Sequence, residues 1–327
     1  MGLFLPRLRC DRAHERKRAV SFFRRYAVLG IGIAAGLGTA CSWGISAVAN
    51  AAAAMLIGVH ASMMLRLSLA VLALIPPCLI AGQFRHYDLH ALIMGAISGV
   101  LGLAVCDWCL YTAVLRIGIR TAMVCQSLYA CITALLGMVF FSEYIGIQGF
   151  VGIGIATLGV IAVTVAERRH VEPSLAGNSP ARLGPGVALA LFSAVVVALG
   201  LILSKAAMQE GIPPLMLTLL RNVSGACVLL GTGIGLHRIQ SALASVRAAP
   251  RAITFLLIGC LFGPTGGIWL SLVALEYAPA AVAATLFSMQ PVALLFVSGF
   301  YERRCPSPGS IIGACAACAG TAILLLR

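Results

Sequence analysis

Charge is what this sequence lacks. Charged side chains make up 10% of its 327 residues, and ten of them are carboxylates. An average globular protein is roughly a quarter charged, enough to cover its surface with polar groups. Here hydrophobic residues reach 61% and mean hydropathy is +1.01, so there is too little polar side chain to coat a soluble particle of this size. That excludes a cytosolic enzyme, a secreted domain and a disordered regulator, and leaves the lipid bilayer as the solvent. Catalytic signatures are missing as well. There is no GxxxxGK(S/T) loop, which excludes direct drive by ATP, and no HExxH or GxSxG. No polar gap is long enough for an extramembrane domain.

What charge exists is unevenly placed. The formal net charge is +13, yet residues 1–25 hold eight basic side chains (Arg7, Arg9, Arg12, Arg16, Lys17, Arg18, Arg24, Arg25) against Asp11 and Glu15. A basic tail before the first apolar run is an orientation anchor beside anionic lipid, and not a nucleic-acid surface. The uncharged run from Tyr26 to Met64 is too long for a signal-peptide core. Of the twelve cysteines, most lie inside apolar runs, as Cys41, Cys125, Cys131, Cys227 and Cys260 do. There a thiol behaves as a small hydrophobe. The pairs Cys106/Cys109 and Cys315/Cys318 read as helix packing, because a metal or redox site needs access and further ligands. No cofactor or metal is expected.

A helix needs about 20 apolar residues to cross a bilayer. On that scale the sequence predicts spans near residues 27–49, 60–82, 91–115, 119–141 and 147–166, then a polar linker from Glu167 to Gly184. Further spans fall near 185–205, 214–236, 252–275, 279–300 and 309–326. The chain thus divides into a basic tail (1–25), a first unit (26–166), the linker (167–184) and a second unit (185–327). The units resemble each other. Ala54-Met55-x-x-Gly58 followed by Arg66 recurs as Ala207-Met208-x-x-Gly211 followed by Arg221. Glu143 after a span recurs as Glu302, and Gly152 with Gly159 recurs as Gly313 with Gly320. Five spans is an odd number, so a duplicated unit sits inverted relative to its twin. Inverted repeats are a transporter architecture, with the site near the midplane between halves.

The second unit reads Ala274-Leu275-Glu276-Tyr277-Ala278-Pro279-Ala280-Ala281, then Ser288-Met289-Gln290-Pro291, Gly299-Phe300-Tyr301-Glu302, Gly313 and Gly320. This resembles the EamA repeat of the drug/metabolite transporter superfamily. The first unit matches it less fully, through Ala113-Val114-Leu115, Ser142-Glu143, Gly152 and Gly159, preceded by Trp43-Gly44. The resemblance covers roughly residues 27–326. It implies an all-α integral membrane protein of ten transmembrane helices in two inverted five-helix repeats, exporting amino acids, small metabolites or drugs. Two departures stand out. The family's proline in span 4 falls near Cys131, and the lysine that closes span 1 in many members has no equivalent at Asn50 or Ala52, although Lys205 stands there in span 6.

Orientation is contested by the charges themselves. With the N-terminus inside, the inner side holds the eight tail residues, Arg85 and Arg327. The outer side holds Arg116, Arg120, Arg168, Arg169, Arg182, Arg238, Arg247, Arg251, Arg303 and Arg304, an equal number. We take both termini as cytoplasmic, the first helix deciding. The Ala, Gly and Arg bias suits a bacterial inner (plasma) membrane.

An ionisable side chain at bilayer depth must face protein or water and find a partner. Arg66, Asp107, Lys205 and Arg221 qualify, and Asp107 is the carboxylate lying well inside a span. Asp107 either binds a substrate amine or carries a coupling proton, or it is a structural counter-ion to Arg66 or Lys205. Lys205 and Arg221 could hold a substrate carboxylate or a phosphorylated solute, but both sit near span ends, where long stems snorkel to the interface. Candidate cavity residues are Trp43, Asn50, Asp107, Tyr111, Gln126, Tyr129, Trp269, Ser288 and Gln290, with Trp108 and Ser271 nearby in the same clusters. Gln126 and Tyr129 share a helix face, as do Asp107 and Tyr111. The alternative for each is interhelical hydrogen bonding. Gly263-Pro264-Thr265-Gly266-Gly267 would weaken span 8 near its middle, making Gly263, Pro264, Gly266 and Gly267 a candidate hinge or cavity wall. Gly30, Gly32, Gly36, Gly38, Gly152 and Gly159 read as close-packing positions.

These features favour a secondary transporter, an exporter working by alternating access through a central cavity. Its partners would be a small-molecule substrate, the lipid bilayer and a coupling proton; a homodimer stays open. The alternative is a membrane-embedded enzyme or a non-transporting membrane subunit acting on lipid. Against an enzyme, all six histidines (His14, His60, His86, His90, His170, His237) fall in the tail, turns or span ends. His86-Tyr87-Asp88 with His90, the nearest thing to a cluster, reads as a solvated turn.

Overall fold

A computed structural model describes residues 6–117, 119–166, 180–236, 239–290, 292–293 and 308–325. The linker 167–179, Pro291 and Glu302 lie outside the described residues, as do the side chains of the basic tail. Backbone in hydrocarbon must satisfy its own hydrogen bonds, and the described elements are all helices. In chain order they are α1 (Pro6–Ile57), α2 (Val59–Ile80), α3 (Leu89–Ile117), α4 (Ile119–Ser127), α5 (Tyr129–Phe141) and α6 (Ile147–Ala166). After the linker follow α7 (Pro180–Gln209), α8 (Pro214–Gly235), α9 (Ile239–Ala248), α10 (Arg251–Tyr277), α11 (Ala280–Ser288) and α12 (Pro308–Leu325).

Six stretches are long and apolar enough to cross a membrane: Leu29–Ile57, Val59–Ile80, Leu89–Ile117, Gly184–Gln209, Pro214–Gly235 and Arg251–Tyr277. They coincide with the first three expected spans of each unit. Three shorter apolar stretches, Cys125–Phe141, Ile147–Ala162 and Ile311–Leu324, fall on the expected spans 4, 5 and 10. Span 9 begins as α11, and its residues from 294 on lie outside the described residues. Leu72, Leu79, Ile80, Val139 and Leu158 are exposed, a pattern that suits a surface meeting lipid.

Local structure repeats with the sequence. Gly58 and Gly211, the twins of the Ala-Met-x-x-Gly pattern, have φ of 85° and 96°. A side chain is strained in that left-handed region, so glycine lets the chain turn from α1 into α2 and again from α7 into α8. The third long helix of each unit contains a π-helical stretch, Val100–Val105 in α3 and Leu261–Thr265 in α10. Gly102 and Gly263 fall within these stretches, each eleven residues before the aligned Ala113 and Ala274. Expected span 4 is two helical segments that meet in a turn at Leu128, whose φ and ψ of −63° and −15° stay right-handed but flatten the helix, and a turn recurs at the matching Met289.

Packing follows the same exchange. α1 packs on α10 and α11, while its twin α7 packs on α3 and α4. α2 packs on its twin α8, and α6 on its twin α12. The α6–α12 contact is the tightest kind available, because small residues bring the backbones together. A Cβ on Gly152 would lie 2.7 Å from the carbonyl oxygen of Gly320, and one on Gly159 would lie 2.7 Å from that of Gly313. In α1, Gly32 and Gly36 meet Ala278 and Leu286 in the same way, whereas Gly30 has open space beside it.

Candidate functional site

The pairing of α1 with α10 and of α7 with α3 leaves a cavity between the two units, with about 80 Å³ of room for solvent. That is enough for several water molecules. Both units supply its wall. Trp43 and Ser46 come from α1, Arg66 from α2, Gly102, Asp107 and Tyr111 from α3, and Gln126 and Tyr129 from the broken fourth span. From the second unit come Leu201 on α7, Arg221 on α8, Gly263 and Pro264 on α10, and Gln290.

The strongest contact in the wall joins Arg66 to Asp107, Nη2 to Oδ2 at 2.5 Å. Arg66 is 3% exposed and Asp107 20%, so the pair stands in for most of the water that Arg66 gives up, while Asp107 keeps an edge on the cavity. The guanidinium of Arg66 also lies over the Tyr111 ring, 5.6 Å from its centroid. Tyr111 accepts a hydrogen bond from Asn50 at 2.9 Å, and Asn50 donates a second to Ser46 at 2.8 Å. Ser46 in turn donates to the carbonyl of Gly259 on α10, 3.1 Å away. One network therefore ties α1 and α3 of the first unit to α10 of the second.

Arg221 is the repeat twin of Arg66 and is 2% exposed. It donates to Ser204 Oγ on α7, and its Nη2 lies 2.6 Å from where a Cβ on Gly102 would sit. Arg66 makes the reciprocal approach, with Nη1 3.7 Å from a Cβ on Gly263. Each arginine thus reaches across to the π-helical stretch of the opposite unit. Near those stretches the ordinary hydrogen-bond ladder is disturbed, and partners come from neighbouring helices. Asn222 on α8 donates to the carbonyl of Pro264 at 2.8 Å. Gln290 donates to the carbonyl of Trp43 at 3.0 Å.

A second ion pair lies away from this cavity. Lys205 Nζ is 2.6 Å from Glu143 Oε1, each side chain 13% exposed. Lys205 also donates to the carbonyl of Ala278 at 3.2 Å, and the backbone N–H of Ala280 donates to Glu143 at 3.0 Å. The pair sits at the approach of α5, α7 and the α10–α11 turn, binding the first unit to the second.

Of the sequence candidates, the structure gathers Trp43, Asp107, Tyr111, Gln126, Tyr129, Gln290, Arg66, Arg221, Gly263 and Pro264 around one space. Others stand off its wall. Asn50 is buried behind it, as the partner of Tyr111. Ser288 is buried and bonded to the carbonyl of Thr285 in its own helix. Trp269 is 43% exposed. Gly266 follows the π stretch without reaching the wall, and Gly267 packs against the Trp43 indole. The snorkelling expected of Lys205 and Arg221 is corrected: both side chains turn inward, because Glu143 and the cavity offer partners closer than the interface. Ser46, Gly102, Ser204 and Glu143 were not singled out as site residues. Glu143 had a signal in its position after a span, which served only as a repeat landmark. Among the described residues, Asp88, His90 and Glu210 bring three ligating atoms together, but all three are exposed. His90 Nδ1 lies 2.8 Å from Glu210 Oε1 in a solvated pair.

The comparisons with known proteins agree with this architecture. No curated protein matches the sequence. A solved structure, titled only as the crystal structure of a protein, superposes with a TM-score of 0.69 at 14% identity, covering 90% of this chain and 96% of that one. At that identity the likeness speaks for the fold alone. The EamA-like transporter family matches residues 30–165 and 184–326. Two copies of one family repeat therefore account for nearly all the membrane-embedded chain, which belongs to the EamA-like transporter family and is a multi-pass membrane transporter of the drug/metabolite type.

Proposed function

We propose that the protein is a secondary transporter that exports a small organic solute by alternating access through the cavity between its repeats. The observation that carries this reading is the cavity wall itself. Both repeats contribute to it, and twin arginines cross from each repeat to the π-helical stretch of the other. A wall built this way can open to one side or the other by rocking one repeat against its twin, with the solute held near the middle. The reading takes the chain as ten crossings in two inverted five-helix repeats, with both termini cytoplasmic, in a bacterial inner membrane. The exchange of packing partners between α1 and α7 supports a two-fold relation between the repeats, and an odd number of crossings in each repeat would make that relation an inversion. The stretch from Gly263 to Gly267 is assigned as the hinge of α10, and its twin around Gly102 as that of α3. The same absence of metal-ligating or hydrolase motifs that weighed against an enzyme in the sequence supports transport here.

Purified protein in proteoliposomes tests the proposal. Saturable flux of at least one member of a panel of amino acids, organic anions and cationic dyes is expected, and comparison with and without a proton gradient reads the coupling. Absence of flux across the whole panel, from protein whose fold is intact by thermal unfolding, would overturn it.

A further inference from the structure

We infer that the cavity takes its solute by an oxyanion, a carboxylate or phosphate group, and that Arg221 is the residue that holds it. The inference rests on the transport reading above and names the chemistry of the same site. Its starting point is an asymmetry between the repeats. Both carry the cavity-facing arginine, Arg66 in one and Arg221 in the other, but only the first carries an acid. The position matching Asp107 in the second repeat is Ile268, which also lines the cavity.

Asp107 is committed to Arg66 at 2.5 Å. Arg221 has no carboxylate partner among the described residues; its bond to protein goes to the neutral Ser204 hydroxyl, and its Nε has no hydrogen-bond partner. Among the described residues the wall therefore holds two guanidiniums to one carboxylate. The field of Asp107 reaches Arg221, but its short ion pair is with Arg66. One positive charge stays in excess, on a side chain 98% removed from solvent, in a medium where charge is costly to leave unmatched. An anion entering the cavity supplies the missing counter-charge and can accept from two guanidinium nitrogens at once, the geometry that suits carboxylate and phosphate. Gly102 leaves the space in which the guanidinium sits. Gln126 and Tyr129, three residues apart on the same wall, offer neutral polar groups to the rest of the solute. A cation would meet two guanidiniums and a carboxylate already occupied, so cationic dyes are the class this cavity rejects.

Trp43 lies on the cavity wall and gives a readout independent of flux. Of the three tryptophans, Trp108→Phe and Trp269→Phe remove the other two from the full-length protein. In detergent, iodide should gain on caesium at Trp43 about fivefold relative to free N-acetyltryptophanamide, for which iodide is already the better quencher, the order expected for opposite responses to one unit charge in the same wall. Arg221→Gln should abolish that preference, and Arg221→Lys should keep most of it. Exposed Arg85→Gln should leave it unchanged. Benzoate and inorganic phosphate, tried separately, should protect Trp43 from iodide, and benzylammonium should not; whichever anion protects at lower concentration identifies the headgroup. An iodide-to-caesium ratio no higher than that of free N-acetyltryptophanamide overturns the inference, and needs no variant at position 221 to do so. An unchanged preference in folded Arg221→Gln overturns it equally. If the iodide preference holds while proteoliposomes move nothing, the anion site stands and the transporter reading falls.

Discussion

Lys205 of the second repeat and Glu143 of the first form an ion pair across the repeat boundary, 2.6 Å from nitrogen to oxygen. The same carboxylate oxygen accepts from the backbone of Ala280, so the pair fixes a helix turn as well as a charge. Lys205→Met strands the Glu143 carboxylate in a place that is 13% exposed. A cost of about 3 kcal/mol is expected, the lower end of the range for breaking a buried pair. It should be read as a lower thermal unfolding midpoint in detergent. The exchanged pair Lys205→Glu with Glu143→Lys should regain part of that loss. If the exchange recovers nothing, packing against Phe141 and Ala278 matters more than charge.

Gly102→Ala places a methyl group 2.6 Å from Arg221 Nη2. The atom it meets is the far end of a flexible side chain rather than backbone, so the guanidinium can move aside without unfolding the helix. Solute affinity should nevertheless fall about tenfold, equivalent to about 1.4 kcal/mol, because the anchoring group is displaced. Gly154→Ala, with nothing within 4 Å of its new methyl, is the matched control and should change neither. Equal affinity in both variants would remove Arg221 from the binding site.

Gly159→Val tests a different consequence of the same kind of contact. On that side the neighbours are the backbone of α12 at Ala317 and the Gly313 carbonyl oxygen at 2.7 Å, which cannot rotate away. Overpacking there should destabilise the protein by about 1–3 kcal/mol or more. Gly320→Val should do the same from the opposite helix. Folded yield and thermal midpoint measure both, and wild-type values for either would contradict the close approach of α6 and α12.

The proposed ten crossings with cytoplasmic termini would put the central linker on the far side of the membrane. A reporter fused near Gly177 should therefore give a non-cytoplasmic signal. A cytoplasmic signal would show that the span count is wrong by one or that the whole chain is inverted, as the charges of the second repeat alone suggest.

Much of the fold was legible because lipid imposes simple demands. Runs of about 20 apolar residues located the long helices, and the Ala-Met-x-x-Gly pattern marked the glycines where the chain turns back. The glycines spaced seven apart marked the α6–α12 contact. Less legible were the interruptions. Residues 119–141 read as one apolar span, yet the helix is interrupted by a turn at Leu128, where no proline or glycine announces it. The π-helical stretch of α3 was equally silent, whereas Gly263-Pro264 signalled its twin in α10. The short helix Ile239–Ala248 was passed over for lack of apolar length.

The sequence by itself determined that this chain lives in lipid, that it is two copies of one module, and which four ionisable groups had to find partners inside the membrane. Only the tertiary structure decided who those partners are. Arg66 meets Asp107 forty-one residues away, Lys205 meets Glu143 at a distance of sixty-two, and Arg221 is left facing the cavity beside a neutral serine. Hydrophobicity acts through the total area hidden from water, so composition and period report it along the chain. A charge in a low-dielectric interior answers instead to whatever stands within a few ångströms, and that is set by which helices cross.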